Sequence, residues 1–222
     1  MRILIVNPNS DPVMTAAIQG TAEGFASGQF EVACLPTPGA PPFIQAYQDQ
    51  IQAAPGMLGL VREHEGDWDA FVVACHSDPH LDALREVTRR PVVGIGEASL
   101  RLASMLGHRF SVLVTDPRSV PAKEDLLRKY HLETSCVSVR PAGPPGHDQE
   151  ERYLAAGRAA IEQDGAEVIV LGCAGLTGLD RRLQARLGAP VLDGVVCALI
   201  VASGLVRHGI AHSRLRRWSP QG

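Results

Sequence analysis

Two cysteines stand where chemistry is easiest to build. Val72-Val73-Ala74-Cys75-His76-Ser77-Asp78-Pro79 and Val170-Leu171-Gly172-Cys173-Ala174-Gly175-Leu176-Thr177 are each an apolar, strand-forming run that ends in a cysteine. Small turn-forming or capping residues follow, then a helix-like segment. This pattern puts a thiol at the carboxyl end of a buried strand, where open α/β sheets bind their ligands. A thiol near a helix N-terminus has its thiolate stabilised by free amides and the helix dipole, which lowers a pKa that starts near about 8.5. With one cysteine as thiolate and the other as thiol across a single cleft, a carbon between them loses a proton on one face. It regains one on the other, and the centre is inverted. A substrate already acidic at carbon needs no metal and no pyridoxal phosphate for this.

The surrounding residues suit such chemistry. A pyridoxal enzyme needs a Schiff-base lysine, and the only lysines, Lys123 and Lys129, lie on a polar helix-like segment outside both motifs. A developing enolate oxygen needs donors. The loops Ser77-Asp78 and Ala174-Gly175-Leu176-Thr177 can supply backbone amides, and Asn7, Asn9 and Thr115 can supply side-chain groups at other strand ends. A cysteine by itself is most often a small core residue; the matched positions of Cys75 and Cys173 single them out. Cys34, Cys136 and Cys197 lie inside strand or helix patterns and read as core. His76, Asp78 and His80 crowd one loop, but their spacing does not make a metal site with Cys75, and His76 is expected to tune the thiol or the pocket. Gly94-Ile95-Gly96-Glu97 lacks the third glycine of a dinucleotide fingerprint.

The elements that must position these residues alternate between strand and helix. Ile3–Val6 reads as a buried parallel strand, and Asp11-Pro12 as a capped helix start. Phe30–Leu35 is a strand and Pro36–Pro42 a loop. Helices are expected over 43–52 and 57–65, parted by Pro55-Gly56. A strand over 69–74 delivers Cys75; a helix over 81–87, a strand over 91–95 and a helix through Leu106 follow. Then the pattern restarts. Ser111–Ser119 echoes Arg2–Ser10 at an offset of 109 residues, Cys173 echoes Cys75 at 98, and Pro190 echoes Pro91 at 99. The second round holds a strand at 133–139, a Pro/Gly loop at 141–146, a helix at 148–163 and a strand at 167–171. The expected fold is therefore α/β: two pseudo-symmetric lobes, each a parallel sheet flanked by helices, with the active site in the cleft between them. Residues 1–98 form the first lobe together with a C-terminal segment, 205–222, and residues 99–204 the second.

The bulk properties bound the function. The 222 residues carry a net charge of −3 and 45% hydrophobic side chains. There is no basic surplus for nucleic acid. No apolar stretch is long enough to span a bilayer, and Val195–Val206, broken by Gly204, suits a buried helix better. The N-terminal apolar run is too short for a signal peptide, so the cytoplasm is the expected location. Five cysteines without close pairing argue against a disulfide framework. The expected partner is a small molecule, with a homo-oligomer suggested by apolar helix faces.

Taken together, these motifs resemble the aspartate/glutamate racemase superfamily, most closely its hydantoin racemase branch, which includes allantoin racemases. The likeness runs through Ile5–Ser10 with Met14-Thr15, Ala74–Pro79 with Leu81-Asp82-Ala83, Pro91–Ala98, Phe110–Leu113, Leu171–Leu176 and Pro190–Gly194. It implies a two-lobed racemase that needs no cofactor, with both cysteines catalytic. It implies that Asn9, Ser77, Thr115, Gly172 and the loop after Cys173 hold substrate amides, and that Ile44 lines the pocket. The amino-acid racemase branches typically place Asn-Thr after the first cysteine. His76-Ser77 stands there here and favours a ring amide. His76 and His80 depart from the branch, which commonly has an aromatic residue and a glycine at these positions. The competing readings are an amino-acid racemase, a decarboxylase, a maleate-type isomerase and a non-catalytic binding protein. A family decarboxylase is expected to keep only the second cysteine, and a diacid isomerase needs cationic sites that neither motif contains.

Overall fold

Short apolar strands bounded by proline, glycine and capping residues leave each strand little choice but to pair in parallel with helices covering both faces. The computed structural model describes residues 1–143 and 148–219. The first round is β1 (Arg2–Asn7), α1 (Pro12–Ala26), β2 (Glu31–Pro36), α2 (Tyr47–His64), β3 (Ala70–Val73), α3 (Leu81–Val87), β4 (Val92–Gly94) and α4 (Ile95–Leu106). The second is β5 (Phe110–Val114), α5 (Val120–Tyr130), β6 (Cys136–Pro141), α6 (Gln149–Asp164), β7 (Val168–Leu171), α7 (Asp180–Leu187), β8 (Val191–Leu192) and α8 (Gly194–His208). Two four-stranded parallel sheets result, ordered β2-β1-β3-β4 and β6-β5-β7-β8.

The sheets repeat one plan with a finer register than the sequence echo. Ile3 pairs with Ala70 and Phe110 with Val168, so the lobes correspond at an offset of 107 residues between β1 and β5. The offset of 109 suggested by the echo is two residues too long. A slip of two preserves which face each side chain points to, so similar apolar runs disguise it.

The helices depart from the expected lobes. Leu100 and Ala103 of α4 pack with Phe110, Val112, Val168 and Val170 of the second sheet. Val195, Ala198, Leu199 and Ala202 of α8 pack with Ile3, Ile5, Val72 and Val93 of the first. Each sheet is thus covered by the last helix of the other round. Breaks at 98/99 and 204/205 would fall inside α4 and α8, and we propose to draw them where these helices begin, at 95 and 194.

Two local expectations also change. α2 is continuous through Pro55 rather than two helices. Pro55 and Ile51, whose carbonyl loses its partner to the proline, are exposed, so water can satisfy it. Ala53, Met57, Leu60 and Val61 keep one buried stripe across the break. β6 begins three residues later than expected and runs through Pro141, while positions 144–146 of the expected loop lie outside the described residues. α8 runs through Gly204 as the buried helix expected over this stretch. After it, residues 209–219 dock on the first lobe without forming a helix, and 220–222 lie outside the described residues. Among the described residues, no helix is long and apolar enough to cross a membrane.

Candidate active site

In each sheet the chain leaves the two central strands in opposite directions, which opens a crevice at their carboxyl ends. Cys75 follows β3, where the Ala74 amide donates to Val6 O at 2.9 Å. Cys173 follows β7, where the Gly172 amide donates to Leu113 O at 2.8 Å. A Cβ on Gly172 would lie 2.8 Å from that same carbonyl oxygen, so only glycine lets β7 approach β5 this closely. Both thiols are half-buried and free. Each interacts electrostatically with the same buried lysine, and Cys173 also with Cys75.

Neither cysteine begins an α-helix, contrary to the expected dipole effect. A turn over residues 76–80 separates Cys75 from α3, and Cys173 caps only the single 3-10 turn Ala174–Leu176. Local groups act instead. Ser77 Oγ lies 3.1 Å from Cys75 Sγ. Burial raises the Cys173 thiol above its ordinary range, and Cys75 raises it further, while the Gly175 amide and Lys123 pull it down. The other three thiols are core groups: burial pushes Cys34 and Cys197 up to about 12 and Cys136 to about 11.

Carboxylates tie both cysteine loops to the crossing helices. Asp78, in the Cys75 loop, accepts from the Gly96 and Glu97 amides of α4 at 3.0 and 2.6 Å and from Tyr130 Oη at 2.7 Å. A Cβ on Gly94 or Gly96 would strike this carboxylate, at 2.2 and 2.7 Å. That is what the Gly94-Ile95-Gly96 spacing provides. Burial raises the Asp78 pKa against these three bonds. In the second lobe the carboxylate sits on the helix: Asp193 Oδ1 caps α8 by accepting from the Val195 amide at 2.8 Å. Its Oδ2 accepts from Thr177 Oγ1 at 2.6 Å and the Gly178 amide at 3.0 Å, both beyond Cys173.

Several residues expected at the substrate turn inward. The amide nitrogen of buried Asn7 donates to Asn9 Oδ1 at 2.8 Å and Thr15 Oγ1 at 2.9 Å, so Asn7 shapes the loop. Asp78 is consumed by its three donors. His76 is buried, with Nε2 3.1 Å from Ser99 Oγ and Nδ1 3.0 Å from Lys123 Nζ. The Ser99 hydroxyl is committed to Ile95 O at 2.7 Å, so Nε2 carries the proton and Nδ1 accepts. Burial, then the Lys123 charge, hold the His76 pKa well below its ordinary value, and the ring is neutral. His80 likewise serves structure, with Nε2 2.6 Å from Gln50 O.

The other candidates remain near the strand ends. Asn9 Nδ2 donates to Met14 Sδ at 3.1 Å, and Met14 Cε lies 3.5 Å from where a Cβ would stand on Gly175. This contact joins the loop after β1 to the loop after Cys173. Ala174 packs into the core of the first lobe, and Thr115 and Gly175 are half-buried. Gly172 has only its carbonyl left to offer a ligand. Ile44 packs on the apolar cluster of Leu4, Val6 and Met57, on the α2 side of the first sheet. Among the described residues, no group of three or more His, Cys, Asp or Glu side chains could hold a metal ion.

The family model for Asp/Glu/hydantoin racemases matches residues 3–202. The chain belongs to this family. It is 39% identical to a hydantoin racemase of Rhizobium meliloti, over 99% of this chain and 94% of that one. Its fold matches the allantoin racemase from Klebsiella pneumoniae with a TM-score of 0.95 and 32% identity, over 100% of this chain and 94% of that one. Allantoin racemase from Pseudomonas fluorescens gives 0.91 and 35%, over 100% and 97%. In this racemase Lys123 is the site residue that sequence reasoning missed. On a segment rich in charge it reads as surface, yet it is buried and its Nζ donates to His76 O at 2.7 Å.

Proposed function

We propose that this racemase inverts the stereogenic carbon of a 5-substituted hydantoin or an allantoin-like ureide, with Cys75 and Cys173 as its acid and base. The observation that carries the reading is the placement of both thiols at corresponding strand ends, within electrostatic reach of each other and of one ammonium. The thiolate of one cysteine takes the proton from carbon, and the electron pair of that C–H bond moves onto the adjacent carbonyl oxygen. The thiol of the other cysteine then gives its proton to the opposite face. Protein protonation is conserved overall, with the two sulfurs exchanging roles. In this reading Ser77, Thr115, Asn9, the Gly172 carbonyl and the Ala174–Gly175 amides serve the ring amides and the enolate oxygen. The relatives' names support the substrate class.

The test is proton exchange in heavy water with enantiopure hydantoins and allantoin. The wild type should incorporate solvent deuterium at the stereogenic carbon while losing optical rotation. Cys75→Ser and Cys173→Ser should each lower racemisation by roughly 10²–10⁴-fold, the usual contribution of a positioned acid or base. Full racemisation by both single variants would refute the two-thiol reading.

A further inference from the structure

We infer that Lys123 is a positioning residue that fixes the proton inventory of the thiol pair, so that the resting enzyme holds one thiolate and one thiol. The inference rests on the two-thiol reading above and adds the charge that makes it work. A two-sided proton transfer fails if both sulfurs are protonated, for want of a base, or if both are ionised, for want of an acid.

The geometry of Lys123 is specific. It projects from the first turns of α5, in the second lobe, into the loop after β3 in the first. Nζ donates to His76 O at 2.7 Å and His76 Nδ1 at 3.0 Å, and its third hydrogen has no partner among the described residues. The side chain is 7% exposed. A buried ammonium calls for a nearby negative charge, but no carboxylate among the described residues lies within ion-pair distance of Nζ.

The groups that face it are few. The loop after β3 brings Cys75, His76 and Asp78; the loop after β7 brings Cys173. From α4, Glu97 is held by Arg85 at 2.7 Å and Arg101 at 3.0 Å, and from its own helix Tyr130 is bound to Asp78. His76 is neutral. Asp78 keeps its charge while accepting from two neutral amides and a phenol, and it faces Lys123 from beyond ion-pair distance. The thiols are the remaining groups that can ionise against Lys123. One cation supports one thiolate; a second beside it meets the repulsion that already raises Cys173. Burial lowers the Lys123 pKa, and Cys75, Cys173 and Asp78 push it back up.

This also gives His76 a purpose. An aromatic ring without an acceptor would leave Lys123 only a backbone carbonyl. The imidazole, oriented by Ser99, supplies a second acceptor and pins the ammonium beneath the Cys75 loop.

The test needs no substrate, so it is separable from the racemase reading. Thiolate absorbance in the ultraviolet, titrated on the intact wild type, should show one thiolate per chain near neutral pH; the three core thiols are silent there. Zero or two would overturn the inference. Iodoacetamide alkylation, mapped by peptide mass, should show Lys123→Met raising the midpoint of the reactive cysteine by at least about one pH unit, a roughly tenfold loss of rate near neutral pH. Lys123→Arg should restore most of it. A folded Lys123→Met with an unchanged midpoint overturns the inference, and if that variant does not fold, the wild-type count decides. One thiolate per chain in a protein that racemises none of the tested ureides would refute the racemase reading alone.

Discussion

Cys75 and Cys173 occupy corresponding strand ends, yet different groups surround the two sulfurs. Cys75 has the Ser77 hydroxyl 3.1 Å away, whereas Cys173 has the Gly175 amide. The second thiol therefore depends on how its backbone is placed. Gly172 sets that placement. A methyl group there would press on Leu113 O at 2.8 Å and Val112 Cγ1 at 2.9 Å, and neither a carbonyl in a sheet nor a fully buried valine can step aside. Gly172→Ala is expected to lower stability by about 1–3 kcal/mol, the usual cost of overpacking a filled site. It should also lower kcat more than KM, because β7 must move and carry Cys173 with it. Urea unfolding and steady-state kinetics check both halves; a variant with wild-type stability and kcat would contradict them.

At the scale of elements, strand ends were legible because each is an apolar run followed by small, turn-forming or capping residues, and local chemistry decides such boundaries. The Cys75 and Cys173 motifs stood out for that reason. Lys123 did not, because α5 is a charged helix and only the approach of the other lobe decides which of its charges is buried. The tail was also illegible: nothing in 209–219 repeats, and its docking depends on partners far away in sequence. The Val92 amide donates to His212 Nε2 at 2.8 Å, the His212 and Trp218 rings meet edge-on at 5.5 Å, and Trp218 covers the Arg85 guanidinium at 5.1 Å. Nε2 also lies 3.0 Å from Val92 O, a contact that favours the protonated ring against its burial. Burial, then the Arg85 charge, lower the His212 pKa to about 4. The docked state therefore resists a proton that the free tail takes up near 6.5, so docking is full above that pH and is lost as the pH falls toward about 4. Trp218 emission, read in a Trp68→Phe background, should shift to the red over this window and return on neutralisation. His212→Gln should remove the pH dependence. An unchanged spectrum across the window would contradict the assignment.

At the scale of the whole molecule, the repeated strand–helix pattern conveyed two parallel sheets but concealed the exchange of their last helices. Periodicity says that α4 and α8 each bury a face; it does not say against which sheet. The exchange has an energetic consequence. Val195 and Leu199, both fully buried on the first sheet, belong to a helix that leaves the second. Burying two such side chains is worth about 3–6 kcal/mol, a large part of the roughly 5–15 kcal/mol that holds a domain folded. Neither sheet can therefore keep its cover if the other unfolds. Asp78 and Asp193 add to this coupling, since each joins a cysteine loop to a crossing helix. The two lobes are expected to unfold as one unit although each has its own sheet. Leu199→Ala tests this, because it removes contacts from the first lobe only. It should cost about 2–5 kcal/mol, as buried leucine truncations do. Trp68 fluorescence, which reports the first lobe, and far-ultraviolet circular dichroism, which reports both, should shift together to the same lower urea midpoint. If fluorescence alone shifted, the lobes would be independent, and the crossing helices would be linkers rather than parts shared by both sheets.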